Sequence, residues 1–157
     1  MVVLIPLLTF AQNSAVDKLF AKYGGKDGFT TVTISQGLLK MAAELDETDE
    51  DLKALAGIKS IKILAVEDET KVSGINFYDD VIKDLKASDY EELMTVESSD
   101  SDVIFLVKKS GNIISELILL VGGNDDNALV YLAGEINMKD VSKIAKNINV
   151  DGGNIKF

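Results

Sequence analysis

At 157 residues, 46% hydrophobic and 27% charged, the chain has the size and composition of one globular domain that buries its own core. Its 26 carboxylates outweigh 16 cations, all lysine, and the formal charge of −10 argues against nucleic acid while the lack of arginine removes the usual anion clamp. With neither cysteine nor histidine, thiol and imidazole catalysis and thiolate- or imidazole-held metals are excluded, so carboxylate, lysine, tyrosine or a hard metal would have to carry any chemistry.

The chain opens on a short apolar run, Val2 to Leu8, followed by Thr9-Phe10-Ala11 before Gln12. That run is too short to span a bilayer and has the form of a secretory signal over residues 1–11, with the mature chain starting at Gln12. It lacks the basic region that ordinarily precedes such a run, and a buried amino-terminal strand is the alternative. Residues 12–157 read as one domain.

From Ser14 the apolar residues Val16, Leu19, Phe20 and Tyr23 keep helical spacing, stopped by Gly24-Gly25. Phe29 to Ile34 is rich in β-branched residues and predicts a strand. Ser35 then caps a helix bearing Leu38, Leu39, Ala42 and Leu45. An acidic turn, Asp46 to Asp51, leads into a short helix closed by Gly57, and Ile58 to Val66 is a second strand. Asn76 caps a helix with Tyr78, Val81, Ile82 and Leu85 on one stripe. Four strands follow in close succession: Glu91–Glu97, Asp102–Lys109, Ile113–Val121 and Ala128–Glu135. Short polar turns join them, so they form an antiparallel meander. A last helix carries Val141, Ile144, Ala145 and Ile148, capped by Asn137. The expected fold is α+β: helices packed on a largely antiparallel sheet, with a four-strand C-terminal meander and a final helix.

Several local patterns invite a site, and most have a plainer explanation. Neither Asp46–Asp51 nor the loop from Asn124 completes a calcium loop, and both read as solvated turns. Gly122-Gly123 leads to another strand rather than a helix, which fits a hairpin turn and not a phosphate cradle. Glu116 interrupts the apolar strand Ile113–Val121 and is the one candidate acid for a hydrolase working with carboxylates alone. If Gly111-Asn112 is a simple two-residue turn, Lys109 lies diagonal to Glu116, and the pair reads more simply as a cross-strand ion pair. No catalytic residue, metal ligand or cofactor is assigned.

The same register places Ile104, Leu106, Leu117, Leu119, Val130 and Leu132 on one sheet face. It places Phe105, Val107, Ile118, Leu120, Leu129 and Tyr131 on a second face, beside Lys109 and Glu116. A one-sided sheet alternates apolar with polar, and these strands do not. The second face is covered either by the chain's own helices or by a partner subunit or apolar ligand, which makes these six residues a candidate binding surface.

Four segments fall in one order: Tyr23-Gly24-Gly25-Lys26-Asp27-Gly28-Phe29, Gly57 through Leu64, Tyr90-Glu91-Glu92-Leu93-Met94, and Ser115-Glu116-Leu117 followed by Val121-Gly122-Gly123. That order, over roughly Ser14 to Ile148, resembles domain-of-unknown-function family 4252, an exported family of Gram-negative, Bacteroidetes-type bacteria. The resemblance implies a periplasmic or outer-envelope location and transfers no site residues. The function expected is a non-catalytic envelope binding module for a protein partner or apolar ligand. The alternatives are the carboxylate hydrolase and a self-associating structural protein.

Overall fold

In the computed structural model, residues 14–45, 48–124, 126–139, 141, 149–151 and 154–156 are described. Along these the chain runs α1 (Ser14–Tyr23), β1 (Phe29–Ser35), α2 (Gln36–Glu44), α3 (Glu50–Leu55), β2 (Ile58–Val66), α4 (Phe77–Lys86), β3 (Glu91–Glu97), β4 (Ser101–Ser110), β5 (Ile113–Gly123) and β6 (Ala128–Asn137), then the short pair β7 (Asn149–Asp151) and β8 (Asn154–Lys156). Each element expected between Ser14 and Asn137 is present. The side chain of Asn76 accepts the Asp79 N–H at 3.1 Å and so caps α4. Ser35 occupies the corresponding position at α2 but makes no side-chain cap bond. Asn137 accepts the Lys139 N–H at 3.1 Å, where the chain becomes helical, while Ile144, Ala145 and Ile148 lie outside the described residues, as does the segment 1–11.

β3 to β6 form the expected meander, β2 adds antiparallel to β6, and β1 adds to β2. The result is a six-stranded antiparallel sheet in the order β1-β2-β6-β5-β4-β3. The fold is α+β. One sheet face carries α1 and α4, which bury Leu19, Phe77, Val81 and Leu85 against Leu64, Ile104, Leu106, Ile118, Leu120 and Leu129. We call this the helix-pair face. Ion pairs Lys18–Asp84 (2.7 Å) and Lys22–Asp80 (2.9 Å) link the two helices across their outer side. The opposite face buries Leu117, Leu119, Val130 and Leu132, with Leu39 of α2 and Val141 in the same cluster.

The register differs from the expected one at a single residue. Ser110 opposes Ile113 and Lys109 opposes Ile114, as a two-residue turn at Gly111-Asn112 requires, but Lys108 then opposes Glu116. Ser115 is the extra residue of a β-bulge, and its hydroxyl donates to the Lys108 carbonyl at 3.1 Å. From there on β4 is shifted by one, which exchanges its two faces. Ile104 and Leu106 therefore join Ile118, Leu120, Leu129 and Tyr131 on the helix-pair face, while Phe105 and Val107 lie on the opposite face with Leu117 and Leu119. The six residues expected on one face are thus divided four and two.

Gly122 and Gly123 are not a turn: both belong to β5, and neither has a positive φ. A Cβ on Gly122 would stand 2.3 Å from Asn76 Oδ1 and from the Tyr78 nitrogen, so the missing side chain is what lets the first turn of α4 rest on the strand. Beside it Asn127, 5% exposed, ties four pieces of chain together. Its Oδ1 accepts the Phe77 N–H at 2.7 Å, and its Nδ2 donates to the carbonyls of Ile75 (3.2 Å) and Gly123 (3.0 Å). Its backbone carbonyl accepts the Val66 N–H at 2.9 Å. Replacing Asn127 by alanine strands buried donors and acceptors on three segments at once. Chemical denaturation of Asn127→Ala should show a loss of about 3 kcal/mol, and a loss below about 1 kcal/mol would mean that the amide does not hold α4 in place.

Candidate functional site

Two regions stand out once the strands are aligned. The first is centred on Glu116, on the helix-pair face, where β5 runs past Tyr90 and Tyr131. Both tyrosine hydroxyls donate to Glu116 Oε2, that of Tyr131 at 3.1 Å. The other oxygen faces Lys108 Nζ at 4.0 Å, and the same ammonium lies 5.9 Å from the centre of the Tyr90 ring. Lys109, the expected partner of Glu116, pairs instead with Glu91 at 2.6 Å on the opposite face. The Ser115 bulge is the reason, because it turns Lys108 rather than Lys109 to the side of Glu116. With 16% of its side chain exposed, Glu116 is held by hydroxyls and a cation from three neighbouring segments. This geometry suits a polar tie across the open end of the helix layer.

Burial pushes the Tyr131 hydroxyl above the ordinary tyrosine pKa, and the charge of Glu116 and the hydrogen bond to it raise it further. Tyr78 is also raised, first by burial and then by the negative charges of Glu97, Asp102 and Glu92. These carboxylates belong to the far edge of the sheet, where Glu97 stands directly opposite Asp102. Among the described residues no lysine pairs with any of the three.

The second region is apolar and lies on the side of the opposite face. Pairing places Val32 of β1, Met94 and Val96 of β3 and Phe105 of β4 on that face, with Phe105 half-buried and the other three 38–47% exposed. Helix α2 packs there through Leu39 and turns Leu38 and Met41 outward, as it does its C-cap residue Leu45, at 56%, 66% and 82% exposure. Their spacing puts all three on one helical stripe. Of the six residues expected to form a binding face, Phe105 alone adjoins this exposed surface. Val107 is buried on the same face, and Ile118, Leu120 and Leu129 are core residues under α1 and α4. The α2 stripe was visible in the sequence as Leu38 and Leu45, but its pattern does not separate a core-facing leucine from an outward one.

A shallow depression of about 450 Å³ lies between Phe29 and Lys71. Its carboxylates are already engaged: Asp27 and Asp68 by Lys71, and Glu67 by the Thr30 hydroxyl. Among the described residues no three carboxylates converge as metal ligands would.

The Tyr131–Glu116 bond makes a testable claim about pH. A tyrosine whose folded pKa lies above its unfolded value of about 10 stabilises the fold fully below that pH and loses the contribution as pH rises through the folded value. Tyr131→Phe should therefore cost about 1 kcal/mol at neutral pH. The gap in Tm between wild type and variant should hold to about pH 10 and narrow above it. A gap that is absent at neutral pH, or that persists unchanged into strong alkali, contradicts this account.

No curated protein and no solved structure matches the chain. A family model, described as Domain of unknown function (DUF4252), matches residues 23–144, from the end of α1 to beyond β6. The chain belongs to that family.

Proposed function

We propose that the protein is an exported, non-catalytic interaction module of the bacterial cell envelope that binds a protein partner. The observation that carries this reading is the contrast between the two sides of the molecule. Above the helix-pair face, the outer surfaces of α1 and α4 are laced by lysine–aspartate pairs. On the other side, α2 presents Leu38, Met41 and Leu45 to solvent. Three large apolar side chains at helical spacing gain nothing from water, and such a stripe is what a partner's apolar surface covers. The carboxylates that line the depression between Phe29 and Lys71 are held by Lys71 and Thr30, and Glu116 is taken up by its tyrosines.

Support for export comes from the apolar run ahead of Gln12 and from the family resemblance. Sequencing the amino terminus of the protein from its native host should start at Gln12. Recovery of intact Met1 from the cytosol would end the export reading.

The interaction reading is tested with Leu38→Ser, Met41→Ser and Leu45→Ser combined. All three side chains are exposed, so thermal stability should change by no more than about 1 kcal/mol. Crosslinking in the native periplasm should lose the adducts formed by the wild type. Identical adducts from a folded triple variant would remove α2 as the binding surface.

A further inference from the structure

We propose that the outer edge of β3 receives an extended segment of a partner protein in which apolar and basic residues alternate. The inference rests on the interaction-module reading and specifies the partner's chemistry. Among the described residues β3 ends the sheet on one side, as β1 does on the other, and no strand of the sheet neighbours the outer backbone groups of either. Such an edge is a template for strand addition, in which main-chain hydrogen bonds supply affinity and side-chain positions supply selectivity.

The two edges are not equivalent. β1 exposes Thr31, Thr33 and Ser35 with a single large apolar residue, Val32, whereas β3 exposes Leu93, Met94 and Val96, each near half of its surface. Register then sorts the residues of β3. Met94 opposes Phe105 and Val96 opposes Val103, so these side chains continue the apolar opposite face. Leu93 is the extra residue of a β-bulge, so Glu92, opposing Leu106, and Glu97, opposing Asp102, both lie on the helix-pair face with Thr95 between them, and the ladder of β3 is regular from Met94 to Glu97. Thr95 Oγ1 is buried without a hydrogen-bond partner.

Lys109 neutralises Glu91, but among the described residues no lysine answers Glu92, Glu97 or Asp102. Like charges directly opposed across two strands are destabilising, and the field of these three carboxylates reaches as far as Tyr78.

A strand added to β3 alternates its own side chains between the same two faces. Those beside Met94 and Val96 meet apolar surface. Those beside Glu92 and Glu97 meet unanswered negative charge. The matching ligand has period two, apolar on one side and lysine or arginine on the other. A second copy of this chain does not fit, because pairing two β3 edges would stack the same carboxylates against each other in a protein that already carries a charge of −10.

The test uses the full chain and three synthetic peptides with blocked ends. One alternates lysine and valine over eight residues, one holds the same lysines and valines in two blocks, and one alternates glutamate and valine. Calorimetry should find the alternating lysine–valine peptide binding at least about tenfold tighter than the block isomer, more weakly as salt rises, and the glutamate peptide not binding. Methylating the backbone nitrogens along one edge of the alternating peptide should abolish binding, because strand addition needs those donors.

In the protein, Glu92→Lys combined with Glu97→Lys should weaken binding at least about tenfold. Its folding is checked by circular dichroism, and because it relieves the Glu97–Asp102 opposition it should melt no lower than wild type. Equal binding of the alternating and block peptides would reduce the edge to a non-specific acidic surface and overturn the proposal. So would unchanged affinity in the double variant, or failure of the alternating peptide to bind. If the peptides fail while the α2 triple variant still loses its periplasmic adducts, the β3 proposal falls and the interaction-module reading stands.

Discussion

The amide of Asn127 is the constraint on which the arrangement of layers depends. A sheet with apolar residues on both faces attracts helices to either side without saying where they should stop, because apolar burial has no direction. Hydrogen bonds do. By joining the start of α4, the segment before it and the end of β5, this one side chain sets the height of α4 over the sheet, and Gly122 leaves room for the contact. α1 then aligns on α4 through its lysines, and the stacked rings of Tyr23, Phe29 and Phe77 close that corner of the core. The exposed ion pairs contribute little energy individually, but they select one alignment of the helix pair over its neighbours.

The two sides of the sheet consequently differ in kind. The helix-pair side is finished: its core is sealed by α1 and α4, its outer surface is charged, and its open end is tied by Tyr90, Glu116, Tyr131 and Lys108. The other side leaves Leu38, Met41, Leu45, Met94 and Val96 in contact with water. An acidic protein rich in lysine keeps such a surface soluble through its net charge, while the surface itself remains available for burial.

Most of the fold was legible in the sequence because helix and strand periods are local signals. Val16, Leu19, Phe20 and Tyr23 announce α1, and the β-branched run of β1 and the polar turns of the meander announce the sheet. What was not legible involved tertiary contact. Asn127 follows a string of glycine, asparagine and aspartate and reads as one more turn residue, although its side chain is buried. Gly122 looks like part of the same turn, although its value lies in the approach of α4. The bulge at Ser115 leaves no composition signal, so the sequence alone predicts the opposite facing for β4 and points to Lys109, where the structure has Lys108, as the partner of Glu116. Among the candidate binding residues Ile118, Leu120 and Leu129 are interior, and helical spacing alone does not tell the outward Leu38 and Leu45 from the core-facing Leu39.

That bulge has a bearing on what specifies the register of the hairpin. In most sheets a slip of one residue turns apolar side chains into water, and the penalty corrects the mistake. β4 reads Val103-Ile104-Phe105-Leu106-Val107, apolar at every position, so its slipped alignment on β5 buries nearly as much as the native one. Polar contacts beside the turn discriminate, through the Ser115 hydroxyl on the Lys108 carbonyl and Lys108 with Glu116. Native register in this hairpin is therefore specified by those polar contacts more than by apolar burial.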